Sequence, residues 1–228
     1  MNKLKTIGIP FLIALSAVCV AQDSVKIEPK WTKDSTYNLK VKATLEIAGN
    51  SATIEGGYLL SGDTGDDGYD LTIHHDYLTI MANDNEVNPP FDDYKAHFDK
   101  KFVLTKLDGG IQGSEPVHMF LIGLFFNPTQ ALTKDTAAKW EVTKNDDLKL
   151  GALKIETTYQ GDDTIGKHKV HKMSQKVSED GTAFTTEGTF FVDDSGHVLR
   201  ADIKFTGVPI PAGGGDAEGK MTLRLDEK

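Results

Sequence analysis

The stretch His74-His75-Asp76 puts two imidazoles beside a carboxylate, the groups used for proton transfer and for holding divalent metals. In an extended chain successive side chains alternate, so His74 and Asp76 share one face and His75 takes the other. One imidazole and one carboxylate are half of the four ligands a structural zinc site uses. His74 and Asp76 are therefore the candidate metal or acid–base pair, and exposed strand residues are the plainer reading. His168 and His171 stand three apart in a second extended run and fall on opposite faces.

Two loops copy the frame of ligand-binding motifs without their full chemistry. Gly214, Gly219 and Lys220 have the spacing of a phosphate-cradling loop, which needs Ser or Thr after the lysine and a helix to follow. Here Met221 follows, and Met221 to Leu225 alternates like a strand, so no helix N-terminus is expected to hold phosphates. Pro209 and Pro211 stiffen the entry, and the glycines read as a connection between strands. Asp63, Asp67 and Gly68 match a calcium loop, but Gly65 and His74 occupy two ligand positions. A solvated acidic turn is the expectation.

Nucleophilic catalysis finds no frame. There is no Gly-x-Ser-x-Gly elbow, and the single cysteine, Cys19, lies in the apolar N-terminal stretch. Thirty-four acidic residues leave a glycosidase-type carboxylate pair open without identifying one. The run from Gly166 to Lys176 is the one basic stretch; it offers either an anion-binding patch or lysines guarding an edge strand, and we expect the edge. No catalytic residue and no cofactor is assigned.

The elements that must position these groups are strands. Tyr37, Leu39, Val41, Ala43, Leu45 and Ile47 alternate with Asn38, Lys40, Lys42, Thr44 and Glu46. A turn at Gly49-Asn50 leads into a strand through Ile54, Tyr58 and Leu60, and two further strands are expected over 69–75 and 77–83. Phe91, Tyr94 and Phe98 have helical spacing and predict a short helix, followed by a strand over 98–107. Later strands are expected at Trp140, over 153–159, 167–177, 184–192, 198–205 and 221–225, with turns at Gly161-Asp162-Asp163 and Asp180-Gly181. Ser114 as N-cap, Pro116 in the first turn and the apolar run to Phe126 predict one short buried helix.

The first residues carry an address. Lys3 and Lys5 precede an apolar run from Ile7 to Val18, and Cys19-Val20-Ala21 places small residues at a cleavage site. The run is shorter than the ~20 residues of a membrane span. Residues 1–21 are read as a cleavable signal, with export to the periplasm or beyond. Lipidation of Cys19 is the alternative, disfavoured by Val18 directly before it. No transmembrane segment is expected in the mature chain. Maturation removes Lys3 and Lys5, leaving 23 basic against 34 acidic residues, a net charge of −11. That balance argues against nucleic acid and against anionic lipid as partners.

Residues 22–228 are expected to form one antiparallel all-β domain, a β-sandwich or curved half-barrel. Lys30-Trp31 with Leu39-Lys40, and Lys139-Trp140 with Leu148-Lys149, share one spacing. They suggest pseudo-halves 22–113 and 139–228 joined by the helical segment 114–138. KWTKDSTYNLKVKATLEI, KWEVTK, and YQGDDTIGKHKVHKM leading to GTFFVDDSGHVLRADIKF resemble a loose class of exported bacterial β-rich proteins, domains of unknown function. More distantly the chain is similar to the curved half-barrels that carry lipoproteins or lipids across the periplasm. The resemblance implies no catalytic residue.

The functional expectation is a non-enzymatic envelope protein, binding or scaffolding, with an apolar small molecule, lipid or lipoprotein as ligand. Val117, Phe120, Leu121, Leu124 and Phe125 are the candidate pocket lining. A hydrolase acting on glycan or lipid, and a purely structural envelope component, are the rivals.

Overall fold

A computed structural model describes residues 23–33, 36–88, 93–109, 125–146, 151–209 and 215–225. All its regular elements are strands: β1 (Ser24–Val25), β2 (Thr36–Ile47), β3 (Asn50–Thr64), β4 (Gly68–Ala82), β5 (Asn85–Val87), β6 (Tyr94–Asp99) and β7 (Leu104–Asp108). There follow β8 (Leu132–Thr133), β9 (Ala137–Val142), β10 (Leu153–Ile165), β11 (His168–Glu179), β12 (Thr185–Val192), β13 (Val198–Pro209) and β14 (Asp216–Leu225). One antiparallel sheet runs β7-β6-β4-β3-β2-β14-β13-β12-β11-β10-β9, with β5 beside β4 and β1 paired separately with β8. The sheet is not closed, and the expected helix at Ser114–Phe126 lies outside the described residues apart from Phe125 and Phe126, which are irregular.

Alternation sets the faces as the sequence predicts. Leu39, Val41, Ala43 and Leu45 of β2 are buried, while Lys40, Lys42, Thr44 and Glu46 are exposed. One buried apolar cluster draws on β2, β3, β4, β6 and β9 to β14, so the inner face of the whole sheet is a single core. The sheet must curl to achieve this. Asn127 N–H donates to Lys101 O at 2.9 Å, and the neighbouring Phe126 N–H donates to the Gln175 side chain at 3.0 Å. Lys101 turns β6 into β7, whereas Gln175 lies on β11, seven strand steps away. Laid flat, those steps would cover about 34 Å. Adjacent residues bridge them, so the two flanks of the sheet come round towards each other over the core. The antiparallel all-β expectation holds, with the sheet left open between β7 and β9.

Several local expectations are corrected. Tyr94–Asp99 is a strand: Tyr94, Ala96 and Phe98 are buried with period two and pair with β4, and this pairing overrides their helical spacing with Phe91. The strand expected over 98–107 is a hairpin, because Asp99 accepts N–H bonds from Lys101 and Val103 and closes a turn in which Phe102 has φ 62°. Strands 69–75 and 77–83 are one strand with a bulge, where Tyr58 faces His75, Gly57 faces Tyr77 and Asp76 is the extra residue. Gly161, expected in a turn, sits at a bulge with φ 121°, and β10 continues to Ile165. The first hairpin turns at Ala48-Gly49, both with positive φ, as a two-residue primed turn requires.

The basic run is not an edge. β11 pairs with β10 on one side and β12 on the other, and the ends of the sheet are β7 and β9. Trp31 and Trp140 differ in setting, the first in an irregular segment and the second in β9.

Candidate functional site

His74 and Asp76, the candidate pair, are joined by a third group from a distant segment, Asp93. His74 Nδ1 lies 2.6 Å from Asp93 Oδ1, and Nε2 lies 4.0 Å from Asp76 Oδ1. The register that sets Ile73 opposite Tyr94 brings Asp93 to His74. The same arrangement recurs two rows along the outer face, where His97 Nδ1 meets Asp70 Oδ1 at 2.7 Å and Nε2 lies 3.9 Å from Asp67. Carboxylates that orient an imidazole support acid–base chemistry only with a reacting group in reach. Among the described residues, no group of three or more His, Cys, Asp or Glu could hold a metal.

A third histidine is enclosed more tightly. His171 Nδ1 is 2.8 Å from Asp162 Oδ1, its Nε2 is 2.7 Å from Asp194 Oδ1, and the Tyr159 hydroxyl donates to Asp162 at 2.6 Å. The tyrosine hydroxyl and then His171 hold the Asp162 carboxyl below its ordinary range. Burial, then Asp162, pushes the Tyr159 hydroxyl up to about 12. The ring donates or accepts at both ends, so this is a clasp joining the β10–β11 hairpin to the turn after β12. His168 does lie across the sheet from it, as expected.

The two copied loop motifs resolve as turns and strands. Lys220 and Met221 stand inside β14, so a strand follows the glycines. Gly219 has a different purpose: a Cβ there would sit 1.9 Å from Thr44 O on β2. In the acidic turn, Asp63 accepts the Thr64 N–H and approaches Lys33, while Asp67 approaches His97. The carboxylates are engaged separately.

On the core face the site is an irregular strap, residues 125–128. Phe125 and Phe126 are each 2% exposed, and the Phe125 ring packs 5.4 Å from Phe190. Gln175 receives the Phe126 N–H, donates to Phe126 O at 2.8 Å, and donates to the Thr157 hydroxyl at 2.9 Å. Gln175 and Thr157 are fully buried, an island of polar groups satisfied by one another within the apolar core. Sequence reasoning counts Thr157 in the alternation of its strand but gives neither residue a role, because spacing does not show which polar side chains meet across the core. Of the expected lining, Phe125 is buried in the core against Phe190, and Val117, Phe120, Leu121 and Leu124 lie outside the described residues.

A second segment, residues 23–33, crosses the same face. Trp31 exchanges hydrogen bonds with Thr64, its N–H donating at 2.7 Å and its carbonyl accepting at 2.8 Å, and its ring meets His197 edge-on at 4.4 Å. Trp31, Tyr37 and His197 line a cavity of about 20 Å³, the room one water needs. Trp31 Nε1 and His197 Nε2 are buried without a partner among the described residues. Burial, then Asp193, pushes the Tyr37 hydroxyl up to about 12.

The outer face carries a groove of about 720 Å³ across β9 to β12. Lys139, Lys154 and Lys176 alternate there with Glu141, Glu156 and Glu187, and the pairs Lys139–Glu156 and Lys176–Glu187 close at 3.2 and 3.3 Å. Its charges cancel.

No protein-family model matches this chain, and no curated protein matches it. Among solved structures it is similar to lipovitellin, studied for its lipid–protein interactions, at 11% identity and a TM-score of 0.47. That match covers 84% of this chain, which spans 24% of the lipovitellin chain. It is also similar to a DUF1329 family protein from Desulfovibrio piger, at 11% identity, TM-score 0.23, covering 84% of this chain and 85% of that one. A putative outer membrane lipoprotein-sorting protein domain from Vibrio parahaemolyticus matches at 11% identity, TM-score 0.24, covering 85% and 84%.

Proposed function

We propose that this chain is a non-enzymatic binding protein of the cell envelope, holding an apolar chain of a lipid or lipoprotein against the core face of its curled sheet. The observation that carries the reading is the strap. Phe125 and Phe126 belong to no strand, yet they fill the inner face, and among the described residues the strap's backbone bonds run to Gln175 and Lys101. A segment held by a few hydrogen bonds over an apolar face is the part an acyl chain of similar girth can replace.

Fluorescent fatty-acid binding tests this directly. Wild type should take up the probe, and Phe125→Ala, which enlarges the space beside Phe190, should alter its affinity several-fold while the domain stays folded. Failure of wild type to bind any apolar probe overturns the reading.

That failure would favour a purely structural envelope component. A specific observation supports this second reading: Met173, Val192, Ala201 and Leu223 on the core face are fully buried by the chain's own side chains. The hydrolase rival gains no specific observation from the geometry. Export with cleavage near Ala21 is part of the proposal, and intact mass of the secreted product checks it: a product beginning at Gln22 is expected, and an acylated Cys19 would replace it with a lipoprotein.

A further inference from the structure

Net charge hides a sorting of charge by face. Cross-strand partners share a face, so the register lays out the outer surface row by row. One row runs Lys172, Phe191, Arg200, Arg224, Lys40, Gly57, Tyr77. Another runs Glu187, Lys204, Lys220, Thr44, Thr53, Met81. On the central strands β13, β14 and β2, these rows and the one between them hold six cations and one carboxylate, Asp202. Asp202 pairs with both Arg200 and Arg224, and Lys42 pairs with Glu55 of β3. Among the described residues no carboxylate pairs with Lys204 or Lys220, which are exposed and directly opposite each other. The patch ends at Glu46 and Glu218, which also face each other.

Like charges placed directly opposite destabilise a sheet. Arg200–Arg224–Lys40 and Lys204–Lys220 are such contacts, kept in a chain whose net charge is −9. Two exposed large apolar residues, Tyr77 at 47% and Met81 at 40%, stand where these rows reach β4; Met81 faces Glu86 of β5, and the third such residue among the described ones, Val87, pairs with Ile80 on the opposite face of the sheet. Tyrosine beside cations is the composition of a surface that meets lipid headgroups and the acyl boundary beneath them.

We infer that the outer face of β13, β14, β2, β3 and β4 docks onto an anionic bilayer. The six cations face the lipid phosphates, and Tyr77 and Met81 enter the headgroup layer. Acidic residues elsewhere do not prevent this, because exposed charges beyond about 8–10 Å are screened at physiological salt. A soluble polyanion would match the cations but leaves the exposed Tyr77 and Met81 without a role. The inference is independent of whether the core face binds a ligand.

Vesicle flotation tests it, with the purified full chain against pure phosphatidylcholine and against phosphatidylcholine containing phosphatidylglycerol. Binding is expected to require phosphatidylglycerol and to fall as salt rises. K204Q/K220Q should weaken it roughly thirty-fold, from the typical strength of a lysine at an anionic surface. Y77S/M81S should weaken it with the salt dependence unchanged. K139Q/K154Q, in the self-neutralised groove, should leave it as in wild type, and all variants should melt near wild type because the residues are exposed. Equal binding to both vesicle types, or unchanged binding by K204Q/K220Q, overturns the inference. So does binding to heparin without binding to phosphatidylglycerol vesicles, which would give the patch a soluble partner.

Discussion

The side-chain amide of Gln175 pairs with the backbone of Phe126 in both directions, accepting its N–H at 3.0 Å and donating to its carbonyl at 2.8 Å. One side chain thus does what a neighbouring strand would do, and it fixes the strap across the core.

Gln175→Ala should be among the costliest polar truncations in the protein. It strands a buried N–H and a buried carbonyl, each at roughly 1–3 kcal/mol, and removes the donor to the Thr157 hydroxyl. A loss of about 3–5 kcal/mol in urea unfolding is expected. A loss below about 1 kcal/mol would mean that the strap is held by other contacts.

Trp140 makes the opposite case. Its indole N–H is buried without a hydrogen-bond partner among the described residues, while the ring meets Phe126 at 6.4 Å. Trp140→Phe keeps an aromatic ring and removes the stranded donor, so thermal stability should change by less than about 1 kcal/mol. Trp140→Ala, which removes the ring, should cost several times more.

Gly219 tests the close approach of β14 and β2. Gly219→Ala would place a methyl 1.9 Å from Thr44 O, so the strands must separate and a loss of at least about 2 kcal/mol is expected. At Gly49 nothing lies within 4 Å and φ is +82°, so Gly49→Ala should cost only backbone strain, about 1 kcal/mol. Chemical denaturation of the two variants should keep that order.

Burial of the Tyr159 hydroxyl, together with its bond to Asp162, gives stability a pH dependence at both ends. The raised tyrosine favours the neutral hydroxyl in the fold, so its contribution is complete below about pH 10 and is lost as pH rises towards about 12. The lowered Asp162 favours the carboxylate, so its contribution holds above the ordinary carboxylate value and is lost as pH falls through the lowered one. Tyr159→Phe should flatten both limbs of a melting-temperature profile. Limbs identical to wild type would show that the bond adds nothing.

Strand character was legible because the core face carries so regular an alternation: Leu39, Val41, Ala43 and Leu45 could be assigned to the interior from spacing alone. What spacing omits is register. Asp93 reaches His74, and Asp194 reaches His171, only through pairings between distant segments. Gly161 and Gly219 show the related ambiguity of glycine, since a bulge, a close approach and a turn all call for one. The lysines of β11 looked like edge protection because neighbours in the sheet cannot be read along the chain. The basic outer face escaped for the same reason: Lys40, Arg200 and Arg224 are far apart in sequence and meet only across strands.

The pairing of β2 with β14 has a consequence for how the molecule is made. Ala217 faces Ile47, so the middle of the sheet is assembled from segments about 170 residues apart, while every other neighbouring pair in the main sheet joins segments much closer along the chain. As synthesis proceeds, two separate meanders form, one closed on β2 and the other on β13, each presenting a naked strand edge. Neither edge is covered until residues 216–225 have been added. Folding should therefore be slow and governed by this late, long-range closure, and the nascent chain should be prone to aggregation until the last strand inserts.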